Sequence, residues 1–136
     1  MLIWLTGSGC SGLETIYLSS TPNGSIHSPG YPYRYDNYEN CQWRLIAPFG
    51  NKVLLYFTVF EVEDDSECGY DSVELFNGFD NSSSLLSKSC GSGLPLPVYS
   101  SSRYIYIRFK SDSSVTQKGF VAHYRKLTDS SGAFFG

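Results

Sequence analysis

From Cys41 onward, hydrophobic and polar positions alternate along the chain. Trp43, Leu45 and Ala47 fall on one side of an extended backbone, and Gln42, Arg44 and Ile46 on the other, a period of two that predicts a strand. Pro48 to Lys52 makes a turn, and Val53 to Phe60 (VLLYFTVF) is a continuous apolar and aromatic run that predicts a central strand buried on both faces. Ser72 to Phe76 predicts a short strand with Val73 and Leu75 on one face. Asn77-Gly78 turns the chain, the polar stretch Asp80 to Ser84 makes the loop longer than two residues, and Leu85 to Cys90 returns. After a turn-rich connector from Gly91 to Pro97, Arg103 to Lys110 sets Ile105, Ile107 and Phe109 against Tyr104, Tyr106, Arg108 and Lys110. Phe120 to Arg125 supplies the last strand. Many short strands, frequent turns and no helical period predict an all-β fold, an antiparallel two-sheet β-sandwich.

The chain before Cys41 reads differently. Thr21 to Tyr38 (TPNGSIHSPGYPYRYDNY) is dense in Pro, Gly, Asn and Ser, which mark turns and extended backbone. Its tyrosines at 31, 33, 35 and 38 either cover the edge of a core with their hydroxyls in water or form an adhesive surface. Residues 1–9 (MLIWLTGSG) are too short to span a membrane and lack the charged start of a signal peptide, so they read as an N-terminal extension such as a clipped signal peptide would leave. Residues 10–127 form the domain, and residues 128–136 read as a C-terminal tail or linker. No stretch predicts a transmembrane segment.

Composition narrows the function classes. The 136 residues fit one domain with a sizeable core, and 16% aromatics with few helix formers suits β structure. A net charge of −3 and ten basic residues in no stripe give no footprint for nucleic acid. The four cysteines, Cys10, Cys41, Cys68 and Cys90, contain no CxxC pair and accompany only two histidines, which argues against zinc and for disulfides. Three connectivities are open; sequential pairing would close loops of about 32 and 23 residues, each worth about 3 to 4 kcal/mol in the chain-entropy account. Disulfides imply an oxidising compartment. Asn23-Gly24-Ser25 and Asn81-Ser82-Ser83 are N-glycosylation sequons and agree with it.

The chemistry concentrates between Phe60 and Asp71 (FEVEDDSECGYD), where Glu61, Glu63, Asp64, Asp65, Glu67 and Asp71 crowd around a cysteine. Carboxylates held close together raise one another's pKa or recruit a cation, and hard oxygen ligands select calcium or magnesium. The plain alternative is a solvated acidic loop. Catalysis has weaker footing: Glu63 with Asp71 as an acid–base pair lacks a substrate cleft, and Ser92 with His123 lacks a GxSxG elbow.

In this order, Gly24-Ser25-Ile26, Ser28-Pro29-Gly30-Tyr31-Pro32, Cys41-Gln42-Trp43, Cys68-Gly69-Tyr70-Asp71, Ser89-Cys90-Gly91, Phe109-Lys110-Ser111-Asp112 and Gly119-Phe120 resemble a CUB domain, an extracellular β-sandwich module with a jelly-roll-like fold. The resemblance covers Cys10 to Tyr124 and implies disulfides Cys10–Cys41 and Cys68–Cys90. It also implies a calcium site of Glu63, Asp71 and Asp112 with an oxygen from Ser114, the Asp71 carboxylate being steadied by Tyr35. The position often Asn in calcium-binding members is Val115 here, which removes one side-chain oxygen. By resemblance the domain is a non-enzymatic, calcium-dependent interaction module that accepts a Lys or Arg side chain from an extracellular partner protein, alone or beside neighbouring domains of a larger protein. A calcium-independent adhesive or carbohydrate-binding module, built on the tyrosine-rich loop, is the alternative.

Overall fold

The computed structural model describes residue 10 and residues 12–128; the N-terminal extension (1–9) and the tail beyond Thr128 lie outside the described residues. Among the described residues, nine strands form two facing sheets: β1 (Gly12–Tyr17), β2 (Asn23–His27), β3 (Asn40–Ile46), β4 (Asn51–Glu61), β5 (Ser72–Phe76), β6 (Leu85–Ser89), β7 (Val98–Tyr99), β8 (Tyr104–Lys110) and β9 (Gly119–Thr128). One sheet has the order β2-β9-β4-β7 and the other β1-β3-β8-β5-β6. The strands at 40–46, 72–76 and 104–110 lie where the alternation predicts them, β6 lies where the chain is read to return after the loop, and β9 runs three residues past Arg125.

Three features depart from the sequence reading. β2 is a strand where the chain predicts only turns and extended backbone, because its Asn, Gly and Ser carry little apolar signal and its pairing with β9 supplies the order, and β1 is a strand in a stretch to which the sequence reading assigns no element. β1 pairs parallel with β3 in an otherwise antiparallel sandwich; the chain passes through β2 in the opposite sheet between them, so no tight hairpin dictates their direction. Finally, β4 is buried on both faces only at Val53, Leu54 and Leu55; from Tyr56 on it alternates, with Tyr56 and Thr58 exposed. A register shift at Val121/Ala122 leaves Thr58 as the extra residue of a bulge on β4.

The core lies between the sheets. Phe120 is its hub, with ring centroids 5.4 Å from Phe109, 5.9 Å from Trp43 and 6.0 Å from Phe57. Leu45, Leu55, Leu75, Ile105 and Ile107 are among the residues that fill it. Both disulfides form in the sequential pattern, Cys10–Cys41 with Cα atoms 5.2 Å apart and Cys68–Cys90 at 5.5 Å.

The strand registers also fix which loops meet. Asn40 and Ser72 both pair with Lys110, Gly119 pairs with Glu61, and His27 with Val121. The loops β2–β3, β4–β5 and β8–β9 therefore emerge together at one end of the sandwich.

Candidate metal centre

Glu63, Asp71 and Asp112 each stand within two residues of a strand terminus, so the sheets position them. Glu63 follows β4, Asp71 precedes β5, and Asp112 follows β8. The β4–β5 loop is pinned by the Cys68–Cys90 disulfide and by reciprocal backbone hydrogen bonds between Val62 and Gly91 at 2.8 and 2.9 Å. Within it, Asp65 Oδ2 accepts the amides of Gly69 (2.9 Å) and Glu67 (3.1 Å), closing a turn. These bonds hold the Asp65 carboxyl below its ordinary pKa.

One carboxylate oxygen from each of Glu63, Asp71 and Asp112 lies within 4.8 Å of the others. Asp71 is fully buried. Its Oδ2 accepts the Tyr35 hydroxyl at 2.6 Å and its Oδ1 accepts the Asp112 amide at 2.8 Å. Tyr35, 1% exposed, also accepts the Glu63 amide at 3.1 Å. Its ring packs edge-on against Phe109 at 4.9 Å, which ties the acid cluster to the core. Asp112 Oδ1 accepts the Ser114 amide at 3.3 Å, an Asx turn that shapes the β8–β9 loop. Ser114 is exposed, and Val115 beside it holds φ of 59°.

Burial pushes the Glu63 carboxyl up to about 7, and the charges of Asp71 and Asp112 push in the same direction. Burial raises Asp71 as well, against the lowering pull of the hydrogen bonds from Tyr35 and the Asp112 amide. Glu63 Oε1 is buried without a hydrogen-bond partner. Its near neighbours are carboxylates, which when ionised accept but do not donate, so the cluster calls for a proton or a cation.

The other acids do not join it. Glu61, exposed, accepts the Lys118 amide at 3.2 Å, Asp65 caps its own turn, and Asp64 and Glu67 are exposed. Of the four loop tyrosines, Tyr33 and Tyr38 are 79% and 75% exposed while Tyr35 is inside. Asn23 and Asn81 are both exposed. His123 Nε2 bonds the Thr58 hydroxyl at 2.8 Å on an outer sheet face, which gives the imidazole a partner other than Ser92.

Sequence reasoning missed Glu39, which is 7% exposed with Oε2 unpartnered and Oε1 3.4 Å from the Cys10 amide. It sits beside Cys10 and Cys41, whose sulfurs are bonded to each other and so offer no thiolate to a metal. Burial raises its carboxyl as well. Nothing in the local pattern marks it, because its neighbours Tyr38 and Asn40 are exposed and the contact that fixes its backbone is distant in sequence: Ser111 Oγ accepts the Glu39 amide at 2.8 Å.

Comparison with known proteins agrees with this architecture. The chain is 40% identical over 118 residues to zinc metalloproteinase nas-39 of Caenorhabditis elegans, and 44% over 102 residues to bone morphogenetic protein 1 of Xenopus laevis. These alignments cover 87% and 75% of the chain but only 13% and 14% of the relatives' length. Among solved structures, the Ca2+-bound CUB2 domain of MASP-1 superposes with a TM-score of 0.71 at 31% identity, covering 85% of this chain and 98% of that one. The family model described as CUB domain matches residues 10–124. The chain therefore belongs to the CUB domain family, non-catalytic β-sandwich modules of extracellular proteins that mediate protein interactions.

Proposed function

We propose that this domain binds calcium through Glu63, Asp71, Asp112 and Ser114, and uses the ordered acidic end to capture a Lys or Arg side chain of an extracellular partner protein. The observation that carries the reading is the convergence of three carboxylates within 4.8 Å, one of them with a buried, unpartnered oxygen. The donor set is all oxygen, which suits a hard cation. Tyr35 leaves Asp71 in a fixed orientation, and the Asx turn at Asp112 brings Ser114 to the same loop. The Ca2+-bound MASP-1 CUB2 domain shares the fold at 31% identity, which supports the choice of calcium for this chain.

The chemistry follows from charge. Three carboxylates carry −3, and a bound Ca2+ reduces this to −1, so the site stays attractive to one further cation. Carboxylate lone pairs that do not face the ion are free to accept charge-assisted hydrogen bonds from an ammonium or guanidinium group. The end of the sandwich becomes a preorganised anionic socket, and no bond is made or broken. Because the relatives are several times longer than this chain, neighbouring domains of a parent protein belong to the same reading.

The test is a calorimetric titration of the oxidised domain with calcium, beside Asp71→Asn and Glu63→Gln. One-site binding lost in both variants is the expected result. A lysine-rich peptide should then bind only with calcium present. Wild-type binding in both variants would falsify the ligand assignment.

A calcium-independent adhesive module is the second reading, supported by the exposed rings of Tyr33 and Tyr38. It requires ligand capture that survives chelator and fails in Tyr33→Ser or Tyr38→Ser.

A further inference from the structure

Far from the acidic end, the outer face of the β2-β9-β4-β7 sheet carries a site whose ligand the chain itself specifies. Along β2, Ile26 turns inward while Asn23, Ser25 and His27 are exposed, so Asn23 of the Asn23-Gly24-Ser25 sequon stands on the outer face. The ladder sets Asn23 opposite Arg125 and Ser25 opposite His123, and on the far side of β9 it sets His123 opposite Tyr56. His123 and Tyr56 stack with ring centroids 5.2 Å apart and planes 20° from parallel. The Thr58 hydroxyl, on the bulge of β4, holds the imidazole in place at 2.8 Å. These groups border a shallow depression of about 360 Å³ lined by Asn23, Ser25, Tyr56, His123, Tyr124 and Arg125. Tyr56 is 38% exposed there, an aromatic ring on an open sheet face.

We infer that Asn23 carries an N-linked glycan whose core N-acetylglucosamine residues lie in this depression, on the Tyr56–His123 rings. Two features converge on a sugar. Its attachment point is at the rim, one strand from His123 and two from Tyr56, a span of about 10 Å that two core sugars cover. A pyranose presents an apolar C–H face, which matches an aromatic ring, and polar edges, which match the Arg125 guanidinium and the Ser25 hydroxyl. The second sequon differs. Asn81 is exposed in the β5–β6 loop, where the nearby Phe79 ring already carries the Arg44 guanidinium 3.7 Å above it. A glycan at Asn81 would project into solvent, whereas one at Asn23 would cover part of this sheet face.

The domain is secreted from a host that glycosylates, in an Asn81→Gln background so that Asn23 is the remaining acceptor, and its mass is read before and after enzymatic removal of the glycan. Thermal unfolding is then measured with and without the glycan in the background protein, in Tyr56→Ser and in His123→Gln. Asn23 should be modified, the glycan should raise Tm by about 3 °C, and most of this gain should vanish in either variant. An Asn23 that leaves the host unmodified overturns the inference. So does a glycan whose effect on Tm is unchanged when Tyr56 or His123 is replaced. The two replacements guard against one of them failing to fold.

Discussion

The Tyr35 hydroxyl donates to Asp71 Oδ2 at 2.6 Å across 36 residues of sequence, and the Tyr35 hydroxyl oxygen accepts the Glu63 amide at 3.1 Å. One buried side chain thus sets the carboxylate of one acid and the backbone of another. Tyr35→Phe keeps the ring packing on Phe109 but leaves the Glu63 amide without its acceptor. It should cost about 1 to 3 kcal/mol in chemical denaturation and weaken calcium binding in the same preparation. An unchanged calcium affinity would show that the hydroxyl does not position the acids.

Without calcium, stability should fall as pH rises. The Glu63 carboxyl has a folded pKa of about 7 against an ordinary 4.5, so between these values the folded state holds more protons than the unfolded one. Stability then decreases with pH through this window and levels off above it. Asp71 and Glu39 are raised by burial and act in the same sense. Asp65 and Asp80 are lowered by hydrogen bonds, from the Gly69 amide and the Ser82 hydroxyl first, so their contribution is lost only at more acid pH. Melting temperatures in chelator should drop from about pH 5 to about pH 8, and saturating calcium should restore most of the loss.

Glu63→Gln separates charge from shape. The amide is neutral and near-isosteric, so it removes the repulsion with Asp71 and Asp112 that the wild-type carboxylate carries above neutral pH. In chelator at about pH 8 the variant should melt higher than wild type, and calcium should no longer move its transition. A variant less stable than wild type under these conditions would mean that the carboxylate repulsion is not the governing effect.

Val115→Asn should stabilise the domain. Val115 holds φ of 59°, a left-handed conformation that a β-branched side chain disfavours and asparagine tolerates. Val115 is also 53% exposed, so little apolar burial is lost. A gain of about 1 kcal/mol in denaturation is expected, together with tighter calcium binding from the added oxygen. A destabilised variant would place some untested contact of the valine above its backbone strain.

Phe120→Ala removes the ring that touches Trp43, Phe57 and Phe109. It should cost about 3 to 5 kcal/mol, and urea midpoints in chelator give the value without a contribution from the ion. A smaller loss would show that the three neighbouring rings collapse into the space.

How much of this was legible in the sequence follows from range. Alternation along 40–46 and 104–110 determined those strands and their inward faces, because the period of side-chain direction in a strand is a local property. The cysteine count and spacing pointed to disulfides, and the crowding at 60–71 marked where carboxylates could gather while leaving a solvated loop open. By resemblance, the motif order also carried the pairing and the three acids that converge. The tertiary structure decided the rest. Whether β2 is a strand depends on β9, nearly a hundred residues away, and the direction of β1 depends on where β3 lies. The burial of Glu39 and the open face under Asn23 depend on which strands lie alongside. The selection among six crowded acids belongs here too: Glu63 and Asp71 meet Asp112 because β4, β5 and β8 end together, while Asp65 spends its oxygen on Gly69. Local pattern fixes which way a side chain points, but only the register between distant strands fixes what it points at.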